Sequence, residues 1–205
     1  RLSNVLSKIT EMCQGDSLSK NVIETSSLIY RSLDSKEIDV KGKSVVSISA
    51  AVVYMACKQC DVVRTLEEIC RGVCLPKDVK SKSKLAARYY RNLVMELGSI
   101  TAPVITMDKY ISKIANLTKI DDKVTRLALE ISSKIKDRSI EDGKAPNGIA
   151  SAYLYIASIL LGQNVLQRDI SSVSGVTEVT IRNRVKEILA LNKMQISLRP
   201  ILATK

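Results

Sequence analysis

The residues best equipped for chemistry sit near the C-terminus, in the run Val176 to Leu191, V-T-E-V-T-I-R-N-R-V-K-E-I-L-A-L. Val179, Arg182, Arg184 and Lys186 lie off the apolar stripe that this run carries, and the three cations among them are donors that suit anionic oxygens. Thr177 offers an N-cap oxygen and Glu178 an early carboxylate, after which Ile181, Val185, Ile188 and Leu189 recur at helical spacing. Ile170 to Gly175 reads as a short helix closed by a glycine turn. The pattern is that of a helix-turn-helix, whose second helix presents its N-terminal residues to the DNA major groove. A plain amphipathic surface helix with solvated charges would read the same way, so the rest of the chain must decide.

Other chemistries find less support. The 205 residues contain no histidine, which removes the commonest general base and metal ligand. The carboxylates are scattered among lysines, and no acid/base couple stands out. Gly42-Lys43-Ser44 imitates the end of a phosphate-binding loop, but that motif needs a glycine where the chain has Glu37. An enzyme is therefore not expected, nor a small-molecule substrate. Five cysteines, without a signal peptide, point to a reducing compartment. Cys57-Lys-Gln-Cys60 with Cys70 and Cys74 has ligand types suited to zinc, yet Cys57 ends the apolar run Ala50 to Cys57 and reads better as a small buried hydrophobe. No metal site is assigned.

Apolar residues make up 45% of the chain, with no Trp, no Phe and seven Tyr. Cores built from Leu, Ile, Val, Ala and Met suit packed helices, so the predicted class is all-α. The formal charge is +11, spread over both halves: residues 1–100 carry 16 cations and 11 carboxylates, residues 101–205 carry 16 and 10. A basic field over the whole body favours a long polyanion. The longest apolar run falls far short of the roughly 20 residues that span a bilayer, and no membrane association is expected. Arg1 stands where a complete chain would have methionine, which suggests part of a longer protein.

The elements that must position these residues follow from periodicity. Helices are predicted over 1–15, 21–33, 45–59, 65–70 and 84–97, with Thr65 as a cap, a glycine loop Lys41 to Ser44 before the third, and a loop Leu75 to Ser83 before the fifth. A second series covers 107–115, 121–136, 149–160, 167–173 and 179–191, with the glycine loop Asp142 to Gly148 before its third member. A shift of 101 residues pairs Gly42 with Gly143, Lys43 with Lys144, Ile48 with Ile149, Ala51 with Ala152, Tyr54 with Tyr155, Ala56 with Ala157 and Ile69 with Ile170. One register matching both helices and glycine loops marks an internal repeat. Two five-helix units result, 1–100 and 101–205, joined near Ser99 to Pro103 and each ending in a helix-turn-helix-like pair. Six extra residues after position 70 bring Lys84 opposite Val179, Ala87 opposite Arg182 and Arg91 opposite Lys186. In the first unit the matching stretch carries Arg71, Lys77, Lys80, Lys82, Lys84, Arg88 and Arg91 against Asp78 alone, a composition suited to gripping phosphates.

Gly42-Lys43-Ser44, Ser49-Ala-Ala-Val-Val-Tyr-Met-Ala-Cys-Lys58, Arg64-Thr-Leu-Glu-Glu-Ile69 and above all Gly175-Val-Thr-Glu-Val-Thr-Ile-Arg-Asn-Arg184 resemble the core of archaeal transcription factor B and eukaryotic transcription factor IIB. The resemblance spans practically the whole chain. It implies two cyclin-like five-helix domains that grip a TATA-binding protein on bent promoter DNA, read an element upstream of the TATA box and help recruit RNA polymerase. It implies base contacts by Val179 and Arg182, with Thr180, Arg184 and Lys186 near phosphates. Gly42 and Lys43 would touch DNA downstream, while the charge run of the first unit independently offers Lys77, Lys80, Lys82 and Arg88 to phosphates. Lys58 and Lys84 would face acidic residues of the TATA-binding protein. A zinc ribbon is expected ahead of these repeats and no cofactor within them. The location would be intracellular, in cytoplasm or nucleoid for an archaeal protein and in the nucleus for a eukaryotic one. The chain departs from the family at Val63, where proline is usual, at Val185, where tyrosine is usual, and at Ala86-Ala87, where Ile-Gly is usual. A kinase-activating cyclin and the related RNA polymerase III factor share the double fold. A cyclin has no use for the basic reading helix, whereas the polymerase III factor is poorly separated by sequence.

Overall fold

The computed structural model describes residues 2–35, 42–97, 105–135 and 144–197. The joint expected near Ser99 to Pro103, Gly143 of the second glycine loop and Lys136 at a predicted helix end lie outside them. The chain divides into two compact units, Arg1–Ile105 and Thr106–Lys205. All regular elements among the described residues are helices. The first unit contains α1 (Leu2–Gly15), α2 (Lys20–Ser35), α3 (Val45–Gln59), α4 (Leu66–Arg71) and α5 (Val79–Leu97). The second contains α6 (Met107–Thr118), α7 (Asp122–Lys134), α8 (Pro146–Leu160), α9 (Gln167–Ser174) and α10 (Glu178–Leu191).

Each unit is assembled around its third helix. In α3 the residues from Ser47 to Val53, together with Met55, Ala56 and Cys57, are buried, and α1, α2, α4 and α5 all pack on it. Valine and isoleucine are mediocre helix formers, so this helix owes its stability to being enclosed rather than to propensity. Its counterpart α8 buries Gly148 to Leu154 with Ile156, Ala157 and Ser158 under α6, α7, α9 and α10. The buried hydroxyls are satisfied by backbone carbonyls: Ser49 donates across to Val5 on α1 at 3.4 Å and Ser151 to Asn147 in its own helix at 2.7 Å. Among the described residues no buried polar side-chain atom lacks a partner, as a low-dielectric core requires.

Local chemistry sets the helix ends. Thr65 and Glu68 form a full capping box at the start of α4, the Thr65 hydroxyl accepting from the Glu68 amide at 3.2 Å and the Glu68 carboxylate from the Thr65 amide at 2.7 Å. Arg64 donates to Asp16 at 2.8 Å, fastening the entry of α4 to the end of α1. Beside it Gly15 and Gly72 bring two backbones together; a Cβ on Gly15 would meet Gly72 Cα and its carbonyl oxygen at 3.1 Å.

Two expected boundaries are corrected. Residues 79–83, read as loop, form the first turns of α5, because Val79 and Ser83 are buried in line with Ala86, Leu93 and Leu97. The polar K-S-K-S run concealed that stripe. Likewise Pro146, at the first position of α8, starts that helix inside the expected glycine loop and makes Gly148 a buried helical residue. Proline is well placed there, since its missing N–H would be unpaired anyway.

Candidate nucleic-acid interface

In the second unit the turn between α9 and α10 is three residues long, Gly175 to Thr177. Gly175 adopts the left-handed conformation with φ of 72°, which a glycine accepts without steric cost. The Thr177 hydroxyl then accepts from the Thr180 amide at 3.2 Å and caps α10, while Ser171 donates to the Val176 carbonyl at 2.7 Å and braces the turn. From the side, Asn147 at the start of α8 donates to the last carbonyl of α9, that of Ser174, at 2.9 Å. Three independent hydrogen bonds thus hold the angle at which α10 leaves the core.

That geometry sorts the charged residues of α10 onto two faces. Ile181 and Ile188 are fully buried and lock the helix to the core. Val179 is 57% exposed, and Arg182, Asn183 and Lys186 are exposed as well. Arg182 has no ion-pair partner among the described residues. Thr180 and Arg184, which the resemblance placed near phosphates, instead turn toward α8. A Cβ on Gly148 would meet Thr180 Cγ2 at 3.3 Å and Arg184 Cγ at 3.8 Å, so this glycine admits their close approach. The Arg184 guanidinium pairs with one oxygen of Glu187, and the Lys144 ammonium pairs with the other. Hydrogen bonding by Lys144 first, and then by Arg184, holds the Glu187 carboxyl below the usual carboxylate range. The expected anion contacts of α10 therefore separate into an exposed set, Val179, Arg182 and Lys186, and an inward set, Thr180 and Arg184. Glu187 escaped the sequence reading. The one signal in sequence is its i,i+3 spacing from Arg184; Lys144 lies 43 residues away and is brought in by packing.

The first unit builds its cationic surface differently. Lys80, Lys84, Arg88 and Arg91 are exposed and spaced by four, four and three residues, a continuous stripe along α5. Like charges at this spacing oppose the helix by a few tenths of a kcal/mol each, so helix stability does not account for them. Lys77 is exposed in the link before the helix, and Lys82 departs from the group. Its side chain is half-buried, and its carbonyl accepts from the Ser47 hydroxyl at 3.3 Å. Gly42 has φ of 74° and lies exposed, with no described atom within 4 Å of where a Cβ would stand. Lys43 is half-buried, its ammonium 5.8 Å from the Tyr89 ring centroid.

Lys58 was expected to face an acidic partner. The structure seats it 5.3 Å from the Tyr54 ring and 5.8 Å from the Tyr90 ring, and these rings meet edge to face at 5.0 Å. Burial lowers its pKa below the ordinary lysine value. Lys58 is thus a half-buried cation on an aromatic shelf, whereas Lys84 is exposed on the stripe.

Among the described residues no cluster of three or more His, Cys, Asp or Glu suited to a metal occurs. Burial pushes the Cys57 and Cys70 thiols up to about 12 and that of Cys13 to about 11, the signature of structural, unreactive cysteines. Nor is any described helix long and apolar enough to cross a membrane.

With the geometry established, comparison with known proteins is informative. A family model described as the transcription factor TFIIB repeat matches residues 1–83 and again 100–190. The chain is 38% identical over 187 residues to a transcription initiation factor IIB of Archaeoglobus fulgidus, covering 91% of this chain and 55% of that protein. It is 40% identical over 179 residues to one of Saccharolobus shibatae, covering 87% of this chain and 56% of that protein. It therefore spans about half the length of the curated relatives it matches. Two consecutive matches to one family model, on a chain whose helices repeat in the same order, place this protein in the transcription factor TFIIB repeat family.

Proposed function

We propose that this chain is the DNA- and protein-gripping core of a transcription initiation factor, acting without catalysis. It binds promoter DNA carrying a TATA-binding protein, reads an element upstream of the TATA box through α10 and helps recruit RNA polymerase. The observation that supports this most directly is the exposure of Val179 and Arg182 on a capped helix set by a left-handed glycine turn. Arg182 is free to donate both arms of its fork to guanine N7 and O6, while Val179 adds apolar contact that a thymine methyl would satisfy. Lys186, one turn further along, is suited to a phosphate at the groove edge. The α5 stripe supplies sequence-independent affinity through counterion release, and Gly42 with Lys43 adds a downstream contact. Lys84 and, from its aromatic shelf, Lys58 face the TATA-binding protein. The repeats need no cofactor for any of this; the zinc ribbon belongs to the sequence expected ahead of them.

The test is a gel shift on TATA-containing duplexes with matched or scrambled upstream flanks, with and without a TATA-binding protein. The shift is expected only in the ternary mixture. Arg182→Ala should reduce preference for the matched flank by about 1 to 3 kcal/mol, whereas Lys84→Ala should weaken both complexes equally. Equal losses on both flanks for Arg182→Ala would overturn the assignment of α10 as the reading helix.

A further inference from the structure

We propose that Asn183 is a further base-reading residue of α10, whose carboxamide recognises an adenine close to the guanine met by Arg182. Its Nδ2 donates to adenine N7 and its Oδ1 accepts from the N6 amino group. This rests on the reading of α10 as the DNA-reading helix and states what a second base pair of its target must be. Val179, Arg182, Asn183 and Lys186 are exposed at positions i, i+3, i+4 and i+7, so they share one helix face, opposite the buried Ile181 and Ile188. The Asn183 side chain makes no hydrogen bond among the described residues. Asn147 and Asn192, in the same unit, each donate to a backbone carbonyl, at 2.9 Å and 2.8 Å. Those two amides hold the fold, whereas that of Asn183 keeps its donors and its acceptor for a partner. Asparagine is also among the weaker formers of a helix interior, so the helix itself gives no reason for its presence.

The first unit shows the same face built from cations. In the repeat register Lys84 corresponds to Val179, Arg88 to Asn183 and Arg91 to Lys186, and all six side chains are exposed. The stripe of α5 therefore has cations at the two places where α10 has an apolar side chain and a carboxamide. A cation on a phosphate raises affinity for every sequence alike through counterion release. Uncharged Val179 and Asn183 forgo that gain, and a contact to a base edge is what a carboxamide offers in its place. Adenine fits it because N7 and the N6 amino group set an acceptor beside a donor on the major-groove edge, the complement of a carboxamide. Guanine presents two acceptors there, which suit arginine instead.

The experiment measures binding to promoter duplexes saturated with a TATA-binding protein, across a set of upstream flanks. In one series each adenine is replaced in turn by 7-deazaadenine, which lacks only the N7 acceptor; in another each base pair is exchanged. The parent protein should lose about 5- to 150-fold on exchange of one A·T pair, the range of a single bidentate base contact, and part of that with 7-deazaadenine at the same position. Asn183→Ala should bind the original and altered duplexes equally at that position, while keeping its response to exchange of the guanine pair and its salt dependence. Its melting temperature should not fall, since alanine is the better helix former. Arg182→Ala should show the converse, losing the response at guanine and keeping the one at adenine. A parent protein that responds to guanine exchange but to no 7-deazaadenine, or an Asn183→Ala variant that weakens every flank equally, overturns the proposal and leaves the reading helix intact. A parent protein without flank preference overturns both.

Discussion

The pairs α4–α5 and α9–α10 occupy the same place in the two units, and they solve the same packing problem with different links. In the second unit three residues suffice, one of them a glycine at φ of 72°, and the following helix begins abruptly at a threonine cap. In the first, seven residues separate the helices, Gly72 is right-handed with φ of −61°, and α5 runs five residues longer than α10. The core contacts nonetheless coincide: Ala86 matches Ile181 and Leu93 matches Ile188, all four buried. A tight, braced turn aims one short helix so that a few side chains project at a defined angle. A long link with an extended helix spreads cations along a line instead. The first arrangement suits reading and the second suits clamping, although both descend from one structural unit.

The comparison is broken most severely at its shared core positions. Ile181→Ala should destabilise the second unit by about 2 to 5 kcal/mol, because a fully buried side chain leaves a cavity. Its mirror image, Ala86→Ile, inserts volume where none is free and should cost the first unit about 1 to 3 kcal/mol. Denaturant melts of the two variants should report these losses in different units; tolerance of both would mean that the 95-residue register between α5 and α10 is wrong.

A smaller effect separates the links. Gly175→Ala would place a Cβ in open space but on a left-handed backbone, costing about 1 kcal/mol. Gly72→Ala sits on a right-handed backbone with neighbours at ordinary contact distance, from 3.5 Å outward. It should be neutral to within a few tenths of a kcal/mol. Thermal melts compare them, and equal effects would remove the claim that backbone geometry distinguishes the turns.

The smallest expected effect is chemical. All five cysteines lie in the first unit, and a thiol-reactive dye at pH 8 should label Cys60 and Cys74 well ahead of Cys13, Cys57 and Cys70. The three buried thiols have folded pKa values raised to about 11 or 12. Their contribution to stability is therefore complete below the ordinary thiol value of 9.0 and is lost as pH rises from there through 11 to 12. Alkaline unfolding should release these thiols together, as one unit opens. Prompt labelling of Cys57 at pH 8 would refute the buried assignment.

Much of this molecule was legible from residue order. The helical class, the repeat, the Val45 to Gln59 span of α3, the Thr65 cap and the glycine closing α9 all follow from local rules that hold wherever the chain goes. Apolar spacing, cap chemistry and backbone freedom act over a few residues and leave their mark in the sequence directly. The exposure of Val179 and Arg182 was expected on the same grounds, since both lie off the apolar stripe of α10.

What only the tertiary structure decided is where each cation points. Lys58 belongs to two tyrosines, one on its own helix and one on α5, and Lys82 leaves the stripe because α5 starts early and packs its first turns on the core. Arg184 and Lys144 meet at Glu187 across 43 residues of sequence, where Gly148 lets α10 approach α8 closely. A long charged side chain chooses among partners several ångströms apart at little cost. Its choice therefore depends on which helices lie alongside it, a fact of packing that its own neighbours in sequence do not encode.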